Sequence, residues 1–546
     1  MTAIAPPDRR WVFGPIPDLM LGCGLGYVVL IAILPWVPLE LQTLALVGTV
    51  GSLVIGAPHY GATLMRVYRH AEDRRKYAFF TVYLSLIVWL WFGVGLYDVR
   101  VGSALITLYF TWSPYHYTGQ NYGLSVMFLR RRGIAFDDRT KKWLYASFML
   151  SFALAFLSLH RSMGGVSYGV GEFANTPFYF IHLGIPLQFW AVAYGGALAL
   201  YLAATAVAFA QLLKVARPID LLPVAALVLA QALWFSLPYT WAWLTHTTLT
   251  SQGVAWLFVW AILGHSAQYL WITTYYAVGR EAGRKRWAYL FSTLGAGSAA
   301  WTLPALIFSP QLFGTHPYTL GLFLMVAAGV NVHHFILDGA IWKLRDSGVG
   351  SILLAQAPSE QEQFAGARSE WPWLVPLGWA AAAAFTVLSL YGAAEQIHWA
   401  KAVNDSDLER ARGAGARLTA IGRADPRFAL LEGQAAFDRG EPEEARRAYN
   451  RSLELYPTAE AFFVIATQNE KEGKREESRD ALRMSLTLDK DHARAHRLLG
   501  LSLIRDGDID PGIAHLERAG RLLPDEPIIR KELAAARASR KQPAAP

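Results

Sequence analysis

The sequence predicts an all-α protein in two parts: a polytopic membrane helix bundle of about eleven spans, followed by an α-solenoid. Three observations carry this reading. The chain is 53% hydrophobic with 20 tryptophans and a mean hydropathy of +0.25, too apolar for an average soluble protein. Residues 1–392 hold about eleven apolar stretches, most near the ~20 residues needed to cross a bilayer as a helix. Residues 401–546 turn to Ala, Arg, Glu and Leu at helical spacing.

The spans fall at roughly 18–37, 43–65, 77–97, 102–128, 143–160, 187–213, 220–239, 253–278, 287–309, 318–342 and 371–391. Strands of a β-barrel would alternate and be much shorter, so a barrel is excluded. The connecting loops divide by charge. RVYRHAEDRRK, FLRRRGIAFDDRTKK, KVARP, GREAGRKR and KLRD are basic, whereas the other set holds only Arg100 and Arg161. Positive-inside then puts the basic set and the N-terminus in the cytoplasm of a bacterial inner membrane. With eleven spans the solenoid lies outside; if 371–391 does not span, it lies inside. MTAIAPPDRRW reads as a cytoplasmic start, not a cleaved signal.

The formal charge is +8. Residues 401–546 are nearly balanced, with 26 basic and 25 acidic side chains, so the excess belongs to the apolar part. It orients the protein in a membrane and does not mark a nucleic-acid surface. Cys23 is the single cysteine, which excludes intramolecular disulfides, Cys-rich zinc sites and Cys-ligated clusters.

The second part repeats. RGEPEEARRAYNRSLELYP, EGKREESRDALRMSLTLDK and DGDIDPGIAHLERAGRLLP align, with Gly440, Gly473 and Gly507 at 33- and 34-residue intervals. This resembles the tetratricopeptide repeat, a helix–turn–helix of 34 residues with small residues where the helices touch. Three repeats are expected, with a degenerate one before them and a closing helix at 525–540. The resemblance implies a protein or peptide partner; a spacer or oligomerisation module is the plainer alternative, and a homo-oligomer is compatible with either.

Histidine occurs inside four spans: His59 in GAPHYG, His116 in SPYHYTGQNYG, His265 in GHSAQYLW, and His333 and His334 in NVHHFILDG. Ionisable groups are costly in a membrane and mark relays, pathways or sites. Each histidine has polar company at helical spacing. Asn331, His334 and Asp338 share a face, as do Ser113, His116 and Gln120. His265 has Gln268 and Tyr269, and His59 has Gly56 and Thr63. Neutral imidazole suits iron, copper or zinc. A His-rich, Cys-free set favours non-haem iron among redox metals, with haem b as the main competitor. A proton pathway and plain polar packing are the other readings. The helical rise leaves a spread of about 10 Å in the depths of the four histidines, so one site or two are open. His333 points about 100° from His334 and is a spare ligand or a packing residue. Asp338 and Gln120 are expected to orient ligating imidazoles, and Tyr117 and Tyr269 to line the pocket or carry protons. Gln268 and Asn331 complete the polar lining.

GAPHYG and SPYHYTGQNYG resemble motifs of the Brp/Blh-type β-carotene dioxygenases, multi-span enzymes that bind a non-haem iron through histidines on separate helices. The resemblance covers about residues 45–345. It implies His59, His116, His265 and His334 as iron ligands and an apolar lipid or isoprenoid substrate. It also implies an oxygenase-type membrane oxidoreductase. A lipid or glycosyl transferase fits less well, because the first outward loop, PWVPLELQ, carries Glu40 and no Asp. A non-enzymatic scaffold recruiting partners through its repeats, or a haem electron-transfer protein, is the alternative.

Overall fold

The computed structural model describes residues 10–33, 48, 50–162, 176–245, 251–281, 283–344, 347–354 and 374–540. The expected cytoplasmic start at 1–9, the loop at 35–42, residues 163–175 of the loop 160–186 and most of the linker 346–370 lie outside them. Among the described residues the fold is all-α, apart from an isolated bridge between Arg161 and Ile185. The chain divides into two compact units. The first is Met1–Ile307 with Gly321–Ala393, and the second is Phe308–Leu320 with Ala394–Pro546.

The first unit is built from α1 (Leu25–Ile33), α2 (Ala57–Tyr68), α3 (Ser85–Gly95), α4 (Val99–Arg131), α5 (Asp138–Leu159), α6 (Leu187–Leu212), α7 (Pro218–Thr245), α8 (Ser251–Arg280), α9 (Arg286–Ile307), α10 (Leu322–Ile341) and the start of α11 (Leu374–Asn404). Local chemistry sets several ends. The Asp98 carboxylate accepts from the amides of Arg100 and Val101 at the start of α4, and Asp137 caps α5 through Thr140. Both satisfy amides that a helix start leaves open. Gly133, with φ +67°, follows the end of α4 and takes a left-handed backbone conformation that suits glycine.

Six described helices are long and apolar enough to cross a membrane: α5, α6, α7, α9, α10 and α11. Pro15–Gly22 and α1, bent by 68°, would make a seventh as one broken span. This is fewer than the eleven spans expected. α4 is 33 residues long but carries His116, Thr118, Gln120 and Asn121, which lower its mean hydropathy. Large apolar side chains such as Leu86, Leu90, Val192 and Val387 face outward, while Asn121, Gln231, Gln268 and Asp338 are buried.

Small residues let α2 and α9 meet closely. A Cβ on Gly61 would lie 1.8 Å from the Thr293 carbonyl oxygen, and one on Gly297 would lie 1.7 Å from that of Ala57. Such backbone approach is how helices gain dispersion contacts where lipid offers no hydrophobic drive. It also fixes the helix turn that carries His59.

The second unit is a run of helix pairs: α12 (Leu408–Ala420), α13 (Pro426–Asp438), α14 (Pro442–Leu455), α15 (Ala459–Lys471), α16 (Arg475–Leu488), α17 (Ala493–Arg505), α18 (Ile509–Leu522) and α19 (Pro527–Arg540). Gly440, Gly473 and Gly507 have φ of +81°, +79° and +96° and close α13, α15 and α17 in the left-handed region that disfavours a side chain. Their spacing in the sequence is thus the period of the helix pairs. Small residues pack where the pairs touch. Gly433 lies against Tyr449, and Gly500 against Gly512 and Leu516. Ser452 donates to the Pro426 carbonyl and Ser485 to that of Ala459, the same link one repeat on. The end of α11 pairs with α12 through Trp399, Ala402, Ala411, Ala414 and Leu418, at the place of the expected degenerate repeat. Segment 308–320 packs within this unit: Thr319 donates to Asp425, and Arg423 lies over the Tyr318 ring at 4.7 Å.

Candidate metal centre

Four helices of the first unit each supply one histidine: α2 His59, α4 His116, α8 His265 and α10 His334. One ring nitrogen from each lies within 4.8 Å of all the others. The Nε2 atoms of His59 and His334 are 2.6 Å apart. His59, His265 and His334 are almost wholly buried, and His116 is partly open.

The outstanding valences point the same way. Nδ1 of His59, Nε2 of His116 and both ring nitrogens of His265 are buried without a hydrogen-bond partner. A buried imidazole nitrogen left unpaired costs free energy. One ring nitrogen from each of four histidines within 4.8 Å of the others is an arrangement that a cation would complete. Their donor chemistry, four imidazoles and no thiolate, suits iron, copper or zinc. Four ring nitrogens this close together would leave little room for a porphyrin among them.

The rings are held from outside. Tyr269 stacks on His59 with centroids 4.6 Å apart, and Tyr117 stacks on His265 at 3.7 Å. Phe335 stacks on His116 at 4.6 Å. Thr63 is the node of the polar network. Its hydroxyl lies 2.9 Å from Nδ1 of His334, 2.6 Å from the Tyr269 hydroxyl and 2.8 Å from Oδ1 of Asp338. Tyr269 also donates to Oδ1 of Asp338 at 2.7 Å, and the Trp342 indole donates to the Tyr269 hydroxyl at 2.9 Å.

The structure brings His59, His116, His265 and His334 to one place, so the spread in depth does not produce two sites. Other expected members go elsewhere. His333 meets the Ser85 hydroxyl at 2.8 Å and is not in the four-histidine group. Gln120 does not orient His116; its amide donates to Gln268, which in turn donates to the Gly22 carbonyl. Asn331 accepts from the Tyr60 hydroxyl and caps its own helix turn at Ala327. Asp338 was expected to orient His334, but Thr63 sits at that Nδ1. The signal for Thr63 was in the sequence: it stands four residues after His59, on the same face of one helix.

The basic loop residues read as orientation charges have a second place. Asp73 accepts from Arg66 at 2.8 Å and from Arg280 at 2.5 Å. Arg66 also lies 4.9 Å from the centre of the Tyr276 ring. Glu281 is ringed by Arg69, His70 and Arg284. Burial pushes the Glu281 carboxyl up, but the His70 hydrogen bond and the charges of Arg284 and Arg69 outweigh it and hold it below the usual range. These pairs tie the ends of α2 and α8, which carry His59 and His265.

Among curated proteins none matches this chain. A solved structure, the crystal structure of the APC/C hetero-tetramer Cut9–Hcn1, is similar at 15% identity over 84% of this chain and 98% of that one, with a TM-score of 0.24. Residues 426–459, which span α13 and α14, match the tetratricopeptide repeat family. The second unit therefore carries a tetratricopeptide repeat, a module for binding protein partners.

Proposed function

We propose that this chain is an integral membrane metalloprotein of the bacterial inner membrane. Its four-histidine centre holds a redox transition metal, non-haem iron foremost, and its repeats dock a protein partner. The observation that carries this is the convergence of His59, His116, His265 and His334, from four helices, on one buried point with ring nitrogens left unpaired. When bound, the metal would supply oxygen activation or electron transfer, and haem b is the less suited cofactor.

The residues around the centre do the rest. Thr63 fixes the tautomer of His334. Tyr117 and Tyr269 fix ring planes by stacking, and the Tyr269–Asp338 pair holds a proton beside the centre. A centre buried within an apolar bundle would suit an apolar lipid or isoprenoid substrate entering from the bilayer. The eleven-span topology remains part of this proposal, supported by the outward apolar side chains and buried polar ones. An extracytoplasmic repeat domain follows from the eleven-span count taken with the positive-inside reading. The likeness to carotenoid dioxygenases rests on the sequence motifs alone.

The test is elemental analysis and an optical spectrum of the detergent-purified full chain. Stoichiometric iron without a Soret band is the expected result. A Soret band would move the histidines to haem. Neither metal nor haem would favour the second reading, a non-enzymatic scaffold, for which the tetratricopeptide repeat is the specific observation.

A further inference from the structure

The two carboxylate oxygens of Asp338 have different surroundings. Oδ1 takes the Tyr269 and Thr63 hydroxyls. Oδ2 lies 3.5 Å from Nε2 of His334 and 3.9 Å from Nε2 of His116. Both of these nitrogens are the candidate donor atoms. Nδ1 of His334 is already taken by Thr63, and Nε2 of His116 is buried without a partner. Donors about 2.1 Å from one ion lie about 3.0 Å apart when adjacent and about 4.2 Å apart when opposite in an octahedron. These two Oδ2 separations, to His334 and His116, fall inside that range.

The geometry points to Asp338 as a fifth ligand through Oδ2, completing a four-histidine, one-carboxylate set with a single open position. This rests on the metal reading and deepens it. Charge favours it too. Four neutral imidazoles would leave a dication with its full charge in an apolar bundle, and one carboxylate halves that charge. The two hydroxyls on Oδ1 act as the outer partners that aim a ligating carboxylate. Five donors disfavour a structural zinc, which is almost always four-coordinate, and suit a metal that accepts six, such as iron(II). One open position admits one small exogenous ligand, so an organic substrate would react from outside the coordination shell.

Cobalt(II) titration of the metal-free full chain in detergent tests this without any activity assay. Five- and six-coordinate cobalt absorbs weakly in the visible range, and tetrahedral cobalt strongly. The wild type is expected to bind cobalt with weak absorption. In Asp338→Asn the two hydroxyls keep the amide oxygen at Oδ1, which puts the NH2 group, a non-ligand, at Oδ2. That variant is expected to absorb strongly and bind more than about tenfold more weakly. Ser85→Ala removes only the partner of His333, outside the four-histidine group, and is expected to keep the weak spectrum. Strong absorption in the wild type would overturn Asp338 ligation while leaving the metal centre intact, whether or not the variants fold. An unchanged spectrum in Asp338→Asn would do the same. No cobalt binding in the wild type would overturn both.

Discussion

The Nε2 atoms of His59 and His334 lie 2.6 Å apart, although 275 residues of chain separate them. At that distance one nitrogen must donate to the other, or both must turn lone pairs to a shared cation. The two cases differ in what removal of one ring does. His59→Ala and His334→Ala are each expected to lower bound metal by more than about tenfold while the helices persist, because loss of even an outer partner of a ligand costs roughly that much. Elemental analysis beside circular dichroism checks it. Wild-type metal content in both variants would reduce the pair to a hydrogen bond.

Thr63 touches three groups that are otherwise remote in sequence: His334, Tyr269 and Asp338. Thr63→Val keeps the shape and deletes the hydroxyl. It is expected to weaken metal binding by roughly 10–100-fold. A stability loss of about 1–3 kcal/mol is also expected, because buried polar groups lose a partner. Competition with a chelator of known affinity measures the first, and thermal unfolding the second. Unchanged affinity would make Thr63 a packing residue.

The contact between α2 and α9 leaves no room at Gly61, where an added Cβ would meet the Thr293 carbonyl. Gly61→Ala is expected to force the helices apart, at a cost of about 1–3 kcal/mol or more, and to lower metal content by shifting His59. Gly119 gives the contrast, since a Cβ there meets nothing within 4 Å. Gly119→Ala is expected to change neither stability nor metal content. Equal behaviour of the two variants would refute the close-approach argument.

Tyr449 is buried among the repeats against Gly433 and Ala436. Tyr449→Ala is expected to destabilise the repeats by about 3–5 kcal/mol, the usual cost of removing a large buried ring. Limited proteolysis should then cut within 426–488, with metal content unchanged. Loss of metal together with the repeats would show that the two units are not independent.

Much of the site was legible because rarity and periodicity both speak. Histidine inside an apolar helix is costly enough to be noticed one residue at a time, and His59, His116, His265 and His334 stood out on that ground. The repeats were legible because Gly440, Gly473 and Gly507 mark a backbone conformation that side chains disfavour. The partners of the polar groups were not legible. Gln120 shared a helix face with His116 but chose Gln268, and His333, beside a candidate ligand, chose Ser85. Helical spacing says which side chains share a face. It says nothing of which neighbouring helix that face meets.

By itself, then, the sequence determined the all-α class, the change of character near residue 400, the repeat period and the four histidines. These follow from local rules: apolar length, helical spacing and the backbone freedom of glycine. Tertiary structure alone decided that the histidines share one point, that Thr63 rather than Asp338 holds His334, and that Oδ2 of Asp338 turns toward the donors. Those outcomes depend on the rotation and depth of α2, α4, α8 and α10 against one another. Long-range contacts such as Gly61 on Thr293 set them, and no local pattern encodes them.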